Sequence, residues 1–177
     1  MKKLPPRKKA GFTLTEVLVA IIIILLVTAV IMTGLPTAQR AYVDVVDAGN
    51  AETLLSTSIT VLQDLLSTTP EAKVDGEGNV IYFINSNTGF WTKLENSDEG
   101  ILLSEYPGTI EGLGTPRSRL IVSKAAATAP LKTVFSTITY SNGVFTITGL
   151  KVMRGTQEMS SVETYKLRAI GSVTVNS

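Results

Sequence analysis

The chain of 177 residues contains no cysteine and no histidine. Without cysteine there is no disulfide, no thiolate nucleophile and no thiolate metal site. The redox compartment stays open, because an oxidising one permits disulfides without requiring them. Without histidine, the Ser-His-Asp arrangement, the usual neutral-pH general base and imidazole ligation are all excluded. Carboxylate-only chemistry would need an acid pair, and none is evident. The expectation is therefore a protein that is not an enzyme and needs no cofactor.

Acidic residues are missing from the first eleven positions, which hold Lys2, Lys3, Arg7, Lys8 and Lys9. The whole chain carries 16 basic and 15 acidic residues, a net charge of +1. Beyond this basic leader the balance is 11 to 15, a net of −4. A mildly acidic remainder argues against nucleic acid as a partner of the head. A basic cluster just before an apolar run reads instead as a cytoplasmic retention signal.

That run, VLVAIIIILLVTAVIM from Val17 to Met32, has Thr28 as its one polar residue. Taken from Phe12 to Leu35, it exceeds the ~20 residues a helix needs to cross a bilayer core. A cleaved secretory signal has a shorter apolar core and small residues at its cut. Here Gly34-Leu35-Pro36-Thr37-Ala38 follows, with no A-x-A site. A plain anchor and the buried part of a filament both remain. Glu16 separates them, because it lies behind Phe12 and Leu14, at the front of the apolar run. A carboxylate there is costly in hydrocarbon, and makes sense where a positive partner awaits it in an assembly of helices. The alternative is that it snorkels at the interface.

The segment Lys8-Lys9-Ala10-Gly11-Phe12-Thr13-Leu14-Thr15-Glu16-Val17-Leu18 resembles the N-terminal motif of type IV prepilins and type II secretion pseudopilins. That motif combines a basic leader, a glycine, a phenylalanine and a glutamate fifth in the mature chain. The resemblance implies cleavage between Gly11 and Phe12 by a membrane-embedded prepilin peptidase, then N-methylation of Phe12. It also implies pairing of Glu16 with the N-terminal amine of a neighbouring subunit. Glycine before the cut lets extended backbone enter a tight site. Thr15 departs from the aliphatic residue often found there. The Glu-Val-Leu-Val-Ala run is somewhat more similar to minor than to major members.

The expected organisation is a leader over 1–11, a transmembrane and assembly half-helix over 12–35, an amphipathic half-helix over 36–69, and a β-rich head over 70–177. Gly34 and Pro36 are expected to kink the helix, since proline removes a hydrogen bond and clashes with the preceding turn. Ala41, Val45, Ala48, Ala51, Leu55, Ile59, Leu62 and Leu66 then recur at helical spacing, predicting a stripe that packs on the head. Asp44, Asp47, Glu52, Gln63 and Asp64 fall off it. The helix is expected to stop near Ser67-Thr68-Thr69-Pro70.

After Pro70 the period changes to that of strands. Strands are expected over Val80–Ile84, Phe90–Leu94, Ile101–Tyr106, Leu120–Ser123, Val134–Tyr140, Val144–Thr148 and Thr164–Ile170. Asn142-Gly143 is the preferred two-residue hairpin turn. With that turn Tyr140 faces Phe145 and Ile138 faces Ile147, while Thr137 and Thr139 meet Thr148 and Thr146. Surface loops are expected over Pro107–Ser118 and Lys124–Leu131. The fold class is α+β, a long N-terminal helix on an antiparallel sheet.

Three smaller constellations carry less. Asp75, Glu77 and Asn79 resemble the opening of a calcium loop, but Val80 replaces the required glycine and no downstream glutamate follows. A polar turn is the favoured reading, with no metal expected. Ser123-Lys124 is no dyad, because adjacent strand residues face opposite ways. Phe90-Trp91 is expected in the core at a strand start.

The function expected is a structural, pilin-like subunit of a type IV pilus or type II secretion-like filament. It would be held in the bacterial cytoplasmic membrane with its N-terminus inside, and then be transferred to an extracellular or periplasmic filament. Its partners would be the prepilin peptidase, other pilin-like subunits, the membrane and an assembly platform. The alternative is a membrane-tethered extracellular binding or sensing domain that does not polymerise.

Overall fold

A computed structural model describes residues 11–122 and 131–176. They fall into two compact units, one ending at Asp44 and one beginning at Val45. Helix α1 (Leu14–Ser67) contributes to both. The leader charges Lys2, Lys3, Arg7, Lys8 and Lys9 lie outside the described residues, as does the Ser123-Lys124 pair.

In the first unit α1 remains helical through Gly34 and Pro36. Pro36 has no N–H, so the carbonyl of Met32 loses its partner one turn on. The hydroxyls of this stretch fold back on the helix. Thr28 donates to the Ile24 carbonyl at 2.8 Å and Thr37 to that of Thr33 at 3.1 Å. Such back-bonding satisfies a polar side chain where no water is at hand.

In the second unit α1 buries Asp47, Ala51, Leu54, Leu55, Ser58, Leu62, Leu65 and Leu66. The expected stripe is right from Ala51 onward and wrong before it, because Val45 and Ala48 are exposed. Asp47, expected off the stripe, instead meets Arg154 of the head at 2.5 Å. Both residues are largely shielded, so this pair fastens the start of the packed face. The helix ends at Ser67, where Pro70 restricts the residue before it. Thr68 and Thr69 donate to the carbonyls of Asp64 and Leu65, each at 2.9 Å.

Twelve strands follow: β1 (Glu71–Val74), β2 (Val80–Ile84), β3 (Trp91–Ser97), β4 (Gly100–Tyr106), β5 (Gly108–Thr109), β6 (Gly112–Leu113), β7 (Arg117–Leu120), β8 (Leu131–Val134), β9 (Thr137–Ser141), β10 (Val144–Arg154), β11 (Gln157–Arg168) and β12 (Thr174–Asn176). One sheet runs β12-β1-β2-β3-β4-β7, antiparallel except for the parallel β1–β12 pair. A second runs β11-β10-β8, with β9 also pairing β10, and β5 and β6 form a small two-stranded third. The α+β class, with its long N-terminal helix and antiparallel-rich sheets, matches the expectation from the sequence.

The inner residues Phe83, Ile101 and Leu103 of one sheet, and Ile138, Phe145, Ile147, Leu150 and Val152 of the other, join Leu62 and Leu66 in one buried cluster. The sheets are joined by Asn96, whose side chain donates to the Phe135 carbonyl at 2.7 Å and accepts its N–H at 3.0 Å. An amide side chain thus imitates a neighbouring strand at the point where the backbone ladder stops.

The β9–β10 hairpin has the expected register, with Tyr140 opposite Phe145 and Ile138 opposite Ile147. Asn142 and Gly143 have φ of 51° and 79°, as a type I′ turn requires. Other expectations need correction. The segment Val134–Tyr140 is two strands, because the chain breaks at Phe135 and Ser136. Pro107–Ser118 holds β5, β6 and the start of β7, and Leu131 opens β8, while the rest of the loop expected over Lys124–Leu131 lies outside the described residues. The strand expected at Leu120–Ser123 ends at Leu120. Strand β10 runs on to Arg154, and β11 begins at Gln157 rather than Thr164. Trp91 is buried, while Phe90 is borderline exposed and precedes its strand.

The break opposite β10 has a cause. Gly149 adopts φ of 62°, and a Cβ there would lie 2.2 Å from Ser136 Oγ. Ile147 and Leu150 can both face the core only because the strand reverses its facing at this glycine. Gly149→Ala should therefore destabilise the head by about 2–4 kcal/mol, from left-handed strain plus overpacking. Gly76→Ala, with open space around it, should leave stability nearly unchanged. Denaturant unfolding of the two variants checks both.

Candidate functional site

Leu14 to Leu35 presents apolar side chains on every side of α1, all of them exposed. Phe12, just ahead of the helix, is 87% exposed. The segment is long and apolar enough to cross a membrane. Within the first unit nothing among the described residues covers these side chains, which suits a surrounding of lipid or other helices.

At the front of this segment lies a reciprocal cap. Thr13 is the last residue before the helix, and its Oγ1 accepts the Glu16 N–H at 3.3 Å. The Glu16 carboxylate returns to accept the Thr13 N–H at 2.9 Å and the Thr13 hydroxyl at 3.0 Å. This is a capping box, in which two otherwise unpaired helix-end donors are satisfied. A negative group also suits the positive end of the helix dipole.

The geometry changes the account of Glu16. From sequence it called for a positive partner in an assembly, or else for snorkelling at the interface; within the single chain its carboxylate already accepts two hydrogen bonds from the neutral donors of Thr13. All three bonds use Oε2 or the Glu16 N–H, so the second carboxylate oxygen stays open among the described residues. Thr13 was not singled out from sequence. The signal was present as Thr-x-x-Glu directly before an apolar run, overlain by the more specific motif around it.

Gly11 and Phe12 precede the helix in open backbone, with nothing near the glycine. A protease needs such an extended, accessible segment. The box uses the amide N–H of Thr13, not that of Phe12, so cutting between Gly11 and Phe12 would leave it intact.

The Asp75 cluster resolves as a turn. Asp75 Oδ1 accepts the N–H groups of Glu77 and Asn79 at 2.9 and 2.8 Å, and Oδ2 accepts from the Asn79 side chain at 2.8 Å. The hydrogen bond from the Asn79 side chain, then that from its backbone, holds the Asp75 carboxyl below its ordinary range. Among the described residues no group of three or more acidic, His or Cys side chains is placed to hold a metal. Millimolar calcium is expected to leave the melting temperature unchanged; a rise would restore a metal role for Asp75, Glu77 and Asn79.

The capping box gives a second prediction. Thr13→Ala should lose about 1 kcal/mol of helix-end stability, whereas Thr13→Ser keeps most of it. Hydrogen exchange at Leu14 to Val17, in detergent or bilayers, should quicken in the first variant alone.

A family model described as the prokaryotic N-terminal methylation motif matches residues 6–32. No curated protein and no solved structure matches the chain. The match spans the Gly11-Phe12 junction, the Thr13–Glu16 box and most of the apolar segment, and implies processing by the prepilin peptidase. The chain carries the N-terminal methylation motif that is the hallmark of type IV pilin and pseudopilin precursors.

Proposed function

We propose that this chain is a structural subunit, not an enzyme, of a type IV pilus or type II secretion-like filament. The observation that carries the reading is one of register. The cut site, the capping-box glutamate and an apolar helix bare on all sides fall within a single motif match. A permanent anchor needs none of the first two. A segment that is cut, modified and then repacked among identical helices uses all three.

In this reading the precursor waits in the cytoplasmic membrane, N-terminus inside, with the second unit on the far side. Cleavage after Gly11 frees an amine on Phe12, close in sequence to the open oxygen of Glu16. During assembly the apolar segments leave lipid for one another, guided by charge pairing between Glu16 and a neighbour's amine. The kink expected at Gly34 and Pro36 would let the segment adjust as it repacks.

Mass spectrometry of the mature protein tests this reading directly. A chain beginning at methylated Phe12 is expected, and one beginning at Met1 sinks the proposal. Gly11→Val should leave an uncut precursor in the membrane. Glu16→Ala should still be inserted and cut but be largely lost from filaments; normal filaments would remove the assembly role of Glu16.

A further inference from the structure

Just beyond the apolar segment, within the first unit, Pro36, Gln39, Arg40, Val43 and Asp44 line one groove along α1. All five are exposed, and Arg40 and Asp44 stand one helical turn apart. An ion pair at this spacing supports a helix best with the acid first, and here the base comes first. The charge order is therefore not the one that helix stability favours. Tyr42, 71% exposed, stands at the same level on another side of the helix, as interfacial aromatics do.

The depth of this groove follows from the helical rise. Val17 to Leu35, at ~1.5 Å per residue, covers close to the ~30 Å of a bilayer core. Glu16 then lies at one margin of the core, and Arg40 about 7 Å past the other, within reach of the headgroup layer. Side chains on a helix lean toward its N-terminus, which here is back toward the core. The long Arg40 side chain therefore ends nearer the phosphates than its Cα does. Asp44 stands about 6 Å farther out. From the core outward the groove offers proline, amide, cation and carboxylate. A phospholipid with a primary ammonium presents glycerol ester, phosphate and ammonium in that same order.

We propose that this groove binds the headgroup of a phospholipid bearing a primary ammonium, with its phosphate on Arg40 and Gln39 and its ammonium on Asp44. Guanidinium and phosphate form a charge-assisted, often bidentate contact. A carboxylate accepts several hydrogen bonds at once, so Asp44 takes the ammonium without giving up a partner in the chain. A glycerol headgroup would bring only negative charge, which suits Arg40 but meets the Asp44 carboxylate. A choline headgroup carries the positive charge but has no N–H to donate. This site requires the apolar segment to lie in a membrane, as in the reading above, and does not depend on assembly into a filament.

Native mass spectrometry of the full chain in neutral detergent tests the site. Phospholipids with equal tails and ethanolamine, choline or glycerol headgroups are added in equal amounts. The ethanolamine lipid should be retained roughly three- to tenfold better than either of the others. Asp44→Asn should erase its lead over the choline lipid, and Arg40→Gln should lower retention of both. Exchanging the charges, Arg40→Asp with Asp44→Arg, keeps the composition and should also abolish the preference, with circular dichroism showing all variants equally helical. Equal retention of the three lipids, strongest retention of the glycerol lipid, or a preference that survives the exchange overturns the proposal. So does equal competition by tail-less glycerophosphoethanolamine, which would mean a site for a soluble ligand. A chain that stays soluble without detergent would remove the membrane reading itself, and this site with it.

Discussion

The second unit depends on burial of one face of α1, from Ala51 to Leu66, against the inner residues of two sheets. Leu62, Leu66, Phe83, Phe145, Ile147, Leu150 and Val152 are almost wholly withdrawn from solvent. Each such side chain contributes about 1.5–3 kcal/mol when fully buried. Neither sheet could form its core alone, since each has one apolar face and needs an opposing layer. The Asp47–Arg154 pair marks where the burial begins. Before it, the part of α1 in the first unit carries apolar residues that are exposed among the described residues. Removing Asp47 would leave Arg154 with a shielded charge and expose the first turn of the packed face.

Much of this was legible in the sequence where the determinants are local. Asn142-Gly143 fixes its own dihedrals, so the turn and the register it sets could be read from the stretch between Thr133 and Gly149 alone. The N-terminal motif could be read because basic leader, glycine and glutamate must fall at fixed separations. The helix was legible in type, but its phase was wrong before Ala51. A stripe of Ala41, Val45 and Ala48 has the same periodicity whether or not anything packs on it. Periodicity reports a face; it does not report a partner. Asp47 was misjudged for the complementary reason: its partner Arg154 is 107 positions away, and no local pattern announces it.

The strand errors share that cause. The split between β8 and β9 is imposed from across the sheet, where Gly149 reverses the facing of β10 and Ser136 occupies the space a Cβ would need. Read locally, Val134–Tyr140 is an unbroken alternation. The parallel β1–β12 pair joins residues about a hundred positions apart, with the Asn176 side chain donating to Glu71. Three residues near a chain end carry too little pattern to be recognised as a strand. The long β11 was half missed because its polar sequence suits an edge and gives no apolar alternation.

In the proposed reading a local and an assembled role occupy one side chain, that of Glu16. In the single chain its carboxylate closes the helix end through Thr13, which holds it in a fixed position at the front of the apolar segment. A free carboxylate on a flexible stem would lose side-chain entropy on meeting any partner. One already held by two bonds has lost most of it beforehand. Its remaining oxygen can then accept from a cation without the cap being dismantled. The cap uses the Thr13 N–H, which peptide cleavage ahead of Phe12 does not touch, so the same fixed acceptor is present before and after processing. What cleavage would change is the other side of the pair, by creating an amine where there had been an amide. On the proposed reading the glutamate is set in the precursor, and the cut would decide when a charged partner becomes available to it.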